Sequence, residues 1–234
     1  MSCAAWQGRV LASLVIAMVL ADDGFAAPAT SLSTPEAAVR HFVKCLAADD
    51  LDGAMQAFQI DKLLAQVDVN VSARLKDRPA SSYRTLARVA KINVLAEIAS
   101  AARRFVYGLL LDETADKLTE ASDANLDRFT RAVDPARLRA VRIVRIDLPV
   151  PTIMNSAAGI RSGNEHAATL GAEEWTERIA LFQLGGAYYE GGFTLLRYGT
   201  TWRIARLESI YGRVGTHERP VKKTTVQHYE ELAK

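Results

Sequence analysis

An α+β domain, with helices at the start of the chain and a curved antiparallel sheet at its end, is predicted by three observations. Residues 34–58 repeat apolar side chains at three- and four-residue spacing behind a helix-start signal. From about residue 143 onward the apolar period falls to two. The later apolar runs are separated by Gly185-Gly186 and Gly199, which suit tight hairpin turns rather than the long crossovers of a parallel sheet.

The first 29 residues stand apart from this domain. Met1 to Arg9 carries one positive charge, Val10 to Leu20 is an apolar run, and small residues follow at Gly24, Ala26, Ala27 and Ala29. This is the layout of a secretory signal peptide, and the run is too short to span a bilayer comfortably. Cleavage after Ala26 or after Ala29 fits the small residues; against a retained anchor, Asp22 and Asp23 interrupt the apolar stretch. The expectation is a secreted or periplasmic product with no stable membrane insertion. Processing would remove Cys3 and leave Cys45 as the one thiol, so no internal disulfide is expected. It would also remove one arginine and two aspartates, moving the formal net charge from +2 to +3. That is too mild a balance to argue for nucleic acid.

Thr34-Pro35-Glu36 offers a hydroxyl cap, a proline at the first helical position and an acid in the first turn. Ala38, Phe42, Cys45 and Leu46 then make one buried stripe. Asp50 caps a second, shorter helix carrying Leu51, Ala54, Met55 and Phe58. Residues 84–111 form the longest helical pattern, charged first at Arg84, Arg88 and Lys91, then apolar through Val94, Ile98, Ala102, Phe105 and Leu109. A weaker helical pattern runs over 112–132 and stops at Asp134-Pro135. The domain is thus expected to carry an enlarged helical middle over about 60–132.

Val144, Ile146 and Leu148 alternate with Ile143, Arg145 and Asp147 as a half-buried strand. Residues 152–172, rich in Gly, Ala, Ser and Asn, read as a mobile loop. A meander closes the domain: 179–184, the Gly185-Gly186 turn, 187–198, the Gly199 turn, and 202–210. Gly191-Gly192 inside the middle strand suggests a bulge or bend. Residues 212–234 are expected to be a loosely held polar tail, with Arg213, Arg219, Lys222 and Lys223 around Pro220 as a solvated surface.

"TPEAAVRHFVKCLAADDLDGAMQAF", residues 34–58, and "YGTTWRIARLE", residues 198–208, resemble the opening and the closing hairpin of the nuclear transport factor 2-like superfamily. That resemblance implies a cone-shaped α+β fold shared with ketosteroid isomerases and polyketide cyclases, in which sheet-mediated dimers are common. It covers a quarter to a third of the chain and marks a fold more than a chemistry. Where the isomerases carry an oxyanion-binding tyrosine on the first helix, this chain has Phe42, which cannot donate. Losing one such donor costs about 3 kcal/mol of transition-state stabilisation. Their general base is an acid soon after the second helix, and Asp61 and Asp68 are available here.

The remaining candidates have bland alternatives. His41 either edges the pocket mouth as an acid or base or lies on the helix surface. His166 has no second ligand at a usable spacing, so no metal site is expected. Cys45 reads as a small buried hydrophobe, since nothing local would activate it. Asn70-Val71-Ser72 matches a glycosylation acceptor only by pattern. Phe42, Tyr107, Tyr188, Tyr198 and Trp202 either line an apolar cavity or simply fill the core. The expected function is a non-enzymatic binding or interaction module needing no cofactor. It would hold an apolar small molecule in its cup, or a protein partner or second copy on its sheet face. The alternative is an isomerase- or cyclase-type enzyme with Asp61, Asp68 or His41 as base.

Overall fold

The computed structural model describes residues 32–65, 80–111, 135–216 and 219–234. The signal segment with its cleavage positions, Asp68, Asn70, the 112–132 pattern and His217 lie outside the described residues. The helices are α1 (Pro35–Ala47), α2 (Leu51–Gln56), α3 (Ala80–Leu110), α4 (Pro135–Leu138), α5 (Pro151–Met154), α6 (Ala157–Thr169) and α7 (Val226–Leu232). A further helical stretch spans residues 60–65. The strands β1 (Arg142–Asp147), β2 (Glu174–Leu184), β3 (Ala187–Tyr198), β4 (Thr201–Arg206) and β5 (Val221–Thr224) form one antiparallel sheet. The chain is an α+β protein of the cone-like kind.

The helix-start signals act as the sequence implies. Thr34 Oγ1 accepts from the Ala37 amide at 3.1 Å, and Asp50 Oδ1 accepts from the Gly53 amide at 2.8 Å. A Cβ on Gly53 would stand 2.2 Å from Asp50 Oδ2 and 2.9 Å from Cys45 Sγ, so only glycine lets α1 and α2 join this tightly.

The two ends of the domain close over one another along β4. Trp202 N donates to the Leu32 carbonyl at 2.7 Å, and Ile204 N donates to the Ala57 carbonyl at 2.8 Å. The Arg203 guanidinium adds a bond to the Gln56 carbonyl. These bonds satisfy groups that an edge strand would otherwise leave open. Arg178 of β2 pairs with Glu36 in the first turn of α1. Burial alone would raise the Glu36 pKa, but the Arg178 hydrogen bond and charge outweigh it, and the carboxyl lies below its ordinary value.

Four sequence expectations are corrected. Residues 152–172 are ordered as α5 and α6 rather than a mobile loop, with Ser156 capping α6 by accepting from the Gly159 amide at 3.0 Å. Ala167 and Gly163 of α6 are buried, and Gly163 lies against the Trp175 ring, which is what holds the helix on the sheet. The polar tail is not loosely held: β5 pairs with residues 188–191 of β3, and Tyr229 of α7 is fully buried. Gly191 and Gly192 stay in unbroken register opposite Ala180 and Ile179. A Cβ on Gly192 would sit 2.1 Å from Val214 O and 2.3 Å from Ser209 N, so this glycine admits a crossing backbone rather than a bulge. The register shifts instead between Thr194 and Leu195, farther along β3 against β4, and between Ile143 and Arg145 of β1. The β1 shift leaves Val144 45% exposed and turns Ile143 toward the core.

The sheet is covered on both faces. Ala180, Phe182, Tyr189, Phe193, Leu195 and Ile204 point inward, against α1, α2 and α3. Ile179 and Leu181 point to the outer face, beneath Val214 and Tyr229. Leu196 meets Ala167 and Ala172 farther along that face.

Candidate functional site

The interior under the helices is filled by rings. Phe42 meets Phe105, Phe58 and Phe193 at centroid separations of 5.3, 5.6 and 6.3 Å, and Phe105 meets Phe182 at 5.6 Å, all edge-on. Phe42, Phe105, Phe182 and Phe193 are wholly buried. Edge-to-face rings at these spacings add attraction beyond simple burial. Among the described residues, the buried charged and polar side chains Glu177, Glu190, Thr194 and Ser209 belong to the outer face or its covering loop, not to this interior.

The aromatic set read from the sequence does not converge. Phe42 and Trp202 belong to the main core. Tyr188 lies on the outer face beside Ile179 and Leu181. Tyr198 lies at the other end of that face, its hydroxyl donating to the Leu170 carbonyl at 3.3 Å. Tyr107 is half-buried on α3 with the Arg103 guanidinium 5.8 Å from its ring centre, and burial raises its pKa. The structure therefore splits these residues between both sheet faces and a helix flank.

The candidate bases are equally dispersed. Asp61 is exposed on the 60–65 helical stretch. His41 Nε2 is 3.1 Å from the Gly53 carbonyl, so that nitrogen carries the proton and clasps α1 to α2. Its ring lies 3.8 Å from Cys45 Sγ, but burial and the Asp50 charge raise the Cys45 pKa and keep the thiol protonated. Among the described residues no group of three or more His, Cys, Asp or Glu is placed to hold a metal ion. No described helix is long and apolar enough to cross a membrane.

A groove of about 460 Å³ opens beside the filled interior. One wall is α3, through Val94, Glu97, Ile98 and Ala101; Phe58 and Leu63 form its floor from the α2 side. The opposite wall is the connection from β4 to β5, through Leu207, Glu208, Thr216 and Pro220. The apolar lining is rimmed by Glu97 and by the Arg206–Glu208 ion pair at 3.0 Å. The arrangement suits an apolar body with polar contacts at its edge.

Two buried carboxylates escaped the sequence reading. Glu177 on β2 accepts from Ser209 Oγ at 2.6 Å, Ile210 N at 3.0 Å and Tyr211 N at 2.9 Å. Ser209 Oγ in turn accepts from Gly212 N at 3.0 Å, so the loop over the outer face is pinned through one side chain. Burial raises the Glu177 pKa, with these donors pulling it partly back. Glu190 on β3 has Thr224 Oγ1 donating to Oε2 at 2.7 Å and Lys222 Nζ 2.9 Å from Oε1, an ion pair without full hydrogen-bond alignment. The signal was present in the period: Glu177 falls on the same strand face as Trp175, Ile179 and Leu181, and Glu190 on the same face as Tyr188 and Gly192, so each acid shares the side that the sheet buries.

No protein-family model matches the chain, and no curated protein matches it. Among solved structures, a cystatin-like protein from Ruminococcus gnavus is similar at a TM-score of 0.50 and 19% identity, over 86% of this chain. The match spans 43% of that protein's length. At this identity the likeness concerns the fold: helices laid over an antiparallel sheet.

Proposed function

We propose that this chain is a secreted or periplasmic, non-enzymatic binding module that takes an apolar small molecule in the side groove between α3 and the β4–β5 connection. The observation that carries the reading is the groove itself. Its volume of about 460 Å³ lies within the usual span for small-ligand sites, roughly 300–1,000 Å³. The cone interior, by contrast, is occupied by Phe42, Phe105, Phe182 and Phe193. Its scaffold is proposed as a variant of the nuclear transport factor 2-like cone, on the strength of residues 34–58 and 198–208. Secretion rests on the N-terminal layout of one charge, an apolar run and small residues. A partner on the sheet face is a weaker reading, because α6, α7 and the 209–214 loop already occupy that face. The base needed by an isomerase or cyclase finds no support from exposed Asp61 or from His41, which is engaged with Gly53.

The test is titration with the neutral apolar dye Nile red, beside an Ala101→Trp variant that fills the groove. Saturable one-to-one binding that falls at least about tenfold in the variant supports the reading, a loss near 1.4 kcal/mol. Equal binding by both proteins, or none by either, refutes it. Native mass spectrometry of protein taken from its own secretory compartment would report the retained molecule and the subunit number together.

A further inference from the structure

The C-terminal segment supplies both a wall of the groove and the partners of a buried charge. Thr216 and Pro220 stand on the groove, and Pro220 runs directly into β5. β5 pairs with only four residues of β3. The Glu190 side chain is wholly buried on β3, and among the described residues its side-chain partners Lys222, Thr224 and His228 come from this segment. Thr224 donates to one carboxylate oxygen, Lys222 Nζ lies 2.9 Å from the other, and His228 Nε2 is 3.8 Å from that same atom. His228 also faces Glu231, at 3.9 Å. α7 adds Tyr229, whose buried hydroxyl donates to the Ile179 carbonyl at 2.9 Å.

A carboxylate buried without its counter-charge is strongly unfavourable, whereas the same group in water is not. Undocking β5 and α7 would hydrate Glu190, so loss of the cation penalises only the docked state. We propose that residues 219–234 are a latch whose docking is set by the Glu190–Lys222 pair and which, when docked, closes the groove. The proposal rests on the groove reading above and adds its regulation: release of β5 withdraws Pro220 and Thr216 from the wall and opens the site. Ligand is held by the latched form and escapes from the released one.

The experiment compares wild type, Lys222→Ala, and Lys222→Ala combined with Glu190→Gln, each as the full chain. Backbone hydrogen exchange over residues 221–232 and over β2 is read by mass spectrometry, and Nile red affinity is measured on the same samples. In Lys222→Ala, exchange in the latch rises to near the unprotected rate while β2 stays protected, and with the latched form reduced to about a tenth of the molecules Nile red affinity falls about tenfold. Neutral glutamine needs no cation, so the double variant returns both readouts to within about threefold of wild type. Unchanged exchange in Lys222→Ala overturns the latch. Raised exchange with unchanged dye affinity overturns the gating, and raised exchange that persists in the double variant overturns the charge mechanism. If wild type does not take up Nile red, the groove reading and the gating fall together, while the exchange pattern still decides whether the pair holds the latch.

Discussion

Glu177→Ala removes the acceptor that holds residues 209–212 over the sheet. The carboxylate is 0% exposed and takes three hydrogen bonds, one from Ser209 Oγ and two from the backbone amides of Ile210 and Tyr211. Bonds to an ionised group are each worth about 1.5–3 kcal/mol, and the freed loop can recover part of that from water, so the net loss is about 4 kcal/mol. Whole domains are stable by only about 5–15 kcal/mol. For a domain of this size each kcal/mol moves Tm by about 2–4 °C, so scanning calorimetry should show a fall of roughly 8–16 °C. A fall below about 2 °C would refute the claim that this side chain pins the loop.

Acidification gives the sign of a second readout. Burial raises the folded-state pKa of Glu177 above its ordinary 4.5, so the folded protein binds the proton more readily than the unfolded chain. The stabilisation linked to that proton is present below the ordinary value and is lost as pH rises through the raised one. Wild type should therefore gain stability relative to Glu177→Gln as pH is lowered from 7 toward 4.5, and a constant difference would contradict the assignment.

Gly192→Ala forces a methyl group to within 2.1 Å of Val214 O and 2.3 Å of Ser209 N, both backbone atoms. It should cost about 3 kcal/mol by denaturant titration and raise hydrogen exchange in the 209–214 loop ahead of the rest of the sheet. Phe42→Tyr puts a hydroxyl into the wholly buried ring cluster of Phe58, Phe105 and Phe193. The expected result is a loss of about 2 kcal/mol by denaturant titration, and an unchanged midpoint would contradict the close packing of these rings. Glu36→Gln breaks the pair with Arg178. Because that pair is partly solvent-exposed, its worth is no more than about 1 kcal/mol. With the Glu36 pKa lowered in the fold, that stability is present above the ordinary carboxylate value and fades as pH falls through the lowered one. The pH dependence of the variant should be flatter than wild type only in that acidic window.

How far the sequence discloses the fold depends on how local each cause is. Thr34, Asp50 and the Gly185-Gly186 turn act within three or four residues, and each forms as its type implies; Gly185 and Gly186 have φ of 58° and 83°. β3 falls on residues 187–198 as the period predicts. The α6 segment was hidden because Gly159, Ser162, Gly163 and Asn164 interrupt its alanines and leave no apolar period, and the Trp175 ring packed on Gly163 gives it tertiary support. The tail was hidden for the opposite reason. Its polarity is real, but Lys222 and Thr224 are matched by an acid 34 residues upstream of Thr224. The groove was illegible altogether: Val94, Ile98 and Leu207 read as ordinary apolar residues, and only the crossing of α3 with the β4–β5 connection leaves space between them.

The placement of the buried acids follows from what covers each face. The inner face meets α1, α2 and α3, which bring Phe42, Phe58 and Phe105, so apolar burial dominates that packing, with the β4 backbone bonds and the Arg178–Glu36 pair added at its edge. On the outer face the 209–214 loop brings Val214 and α7 with its C-cap brings Tyr229, Leu232 and Ala233, while Val221 of β5 packs into the main core. Beyond these apolar contacts, their placement depends on directional bonds, which converge on Glu177 for the loop and on Glu190 for the latch, with the Tyr229 hydroxyl on the Ile179 carbonyl as a further tie of α7. Hydrophobic contact fades gradually as surfaces separate, whereas a buried carboxylate tolerates no half-formed partner. An all-or-none release of the C-terminal segment, taking Val221 out of the main core but leaving the Phe42, Phe105, Phe182 and Phe193 rings in place, is the behaviour this division of forces predicts. Exchange kinetics in which residues 221–232 open together, at a rate unrelated to β2, would display it directly.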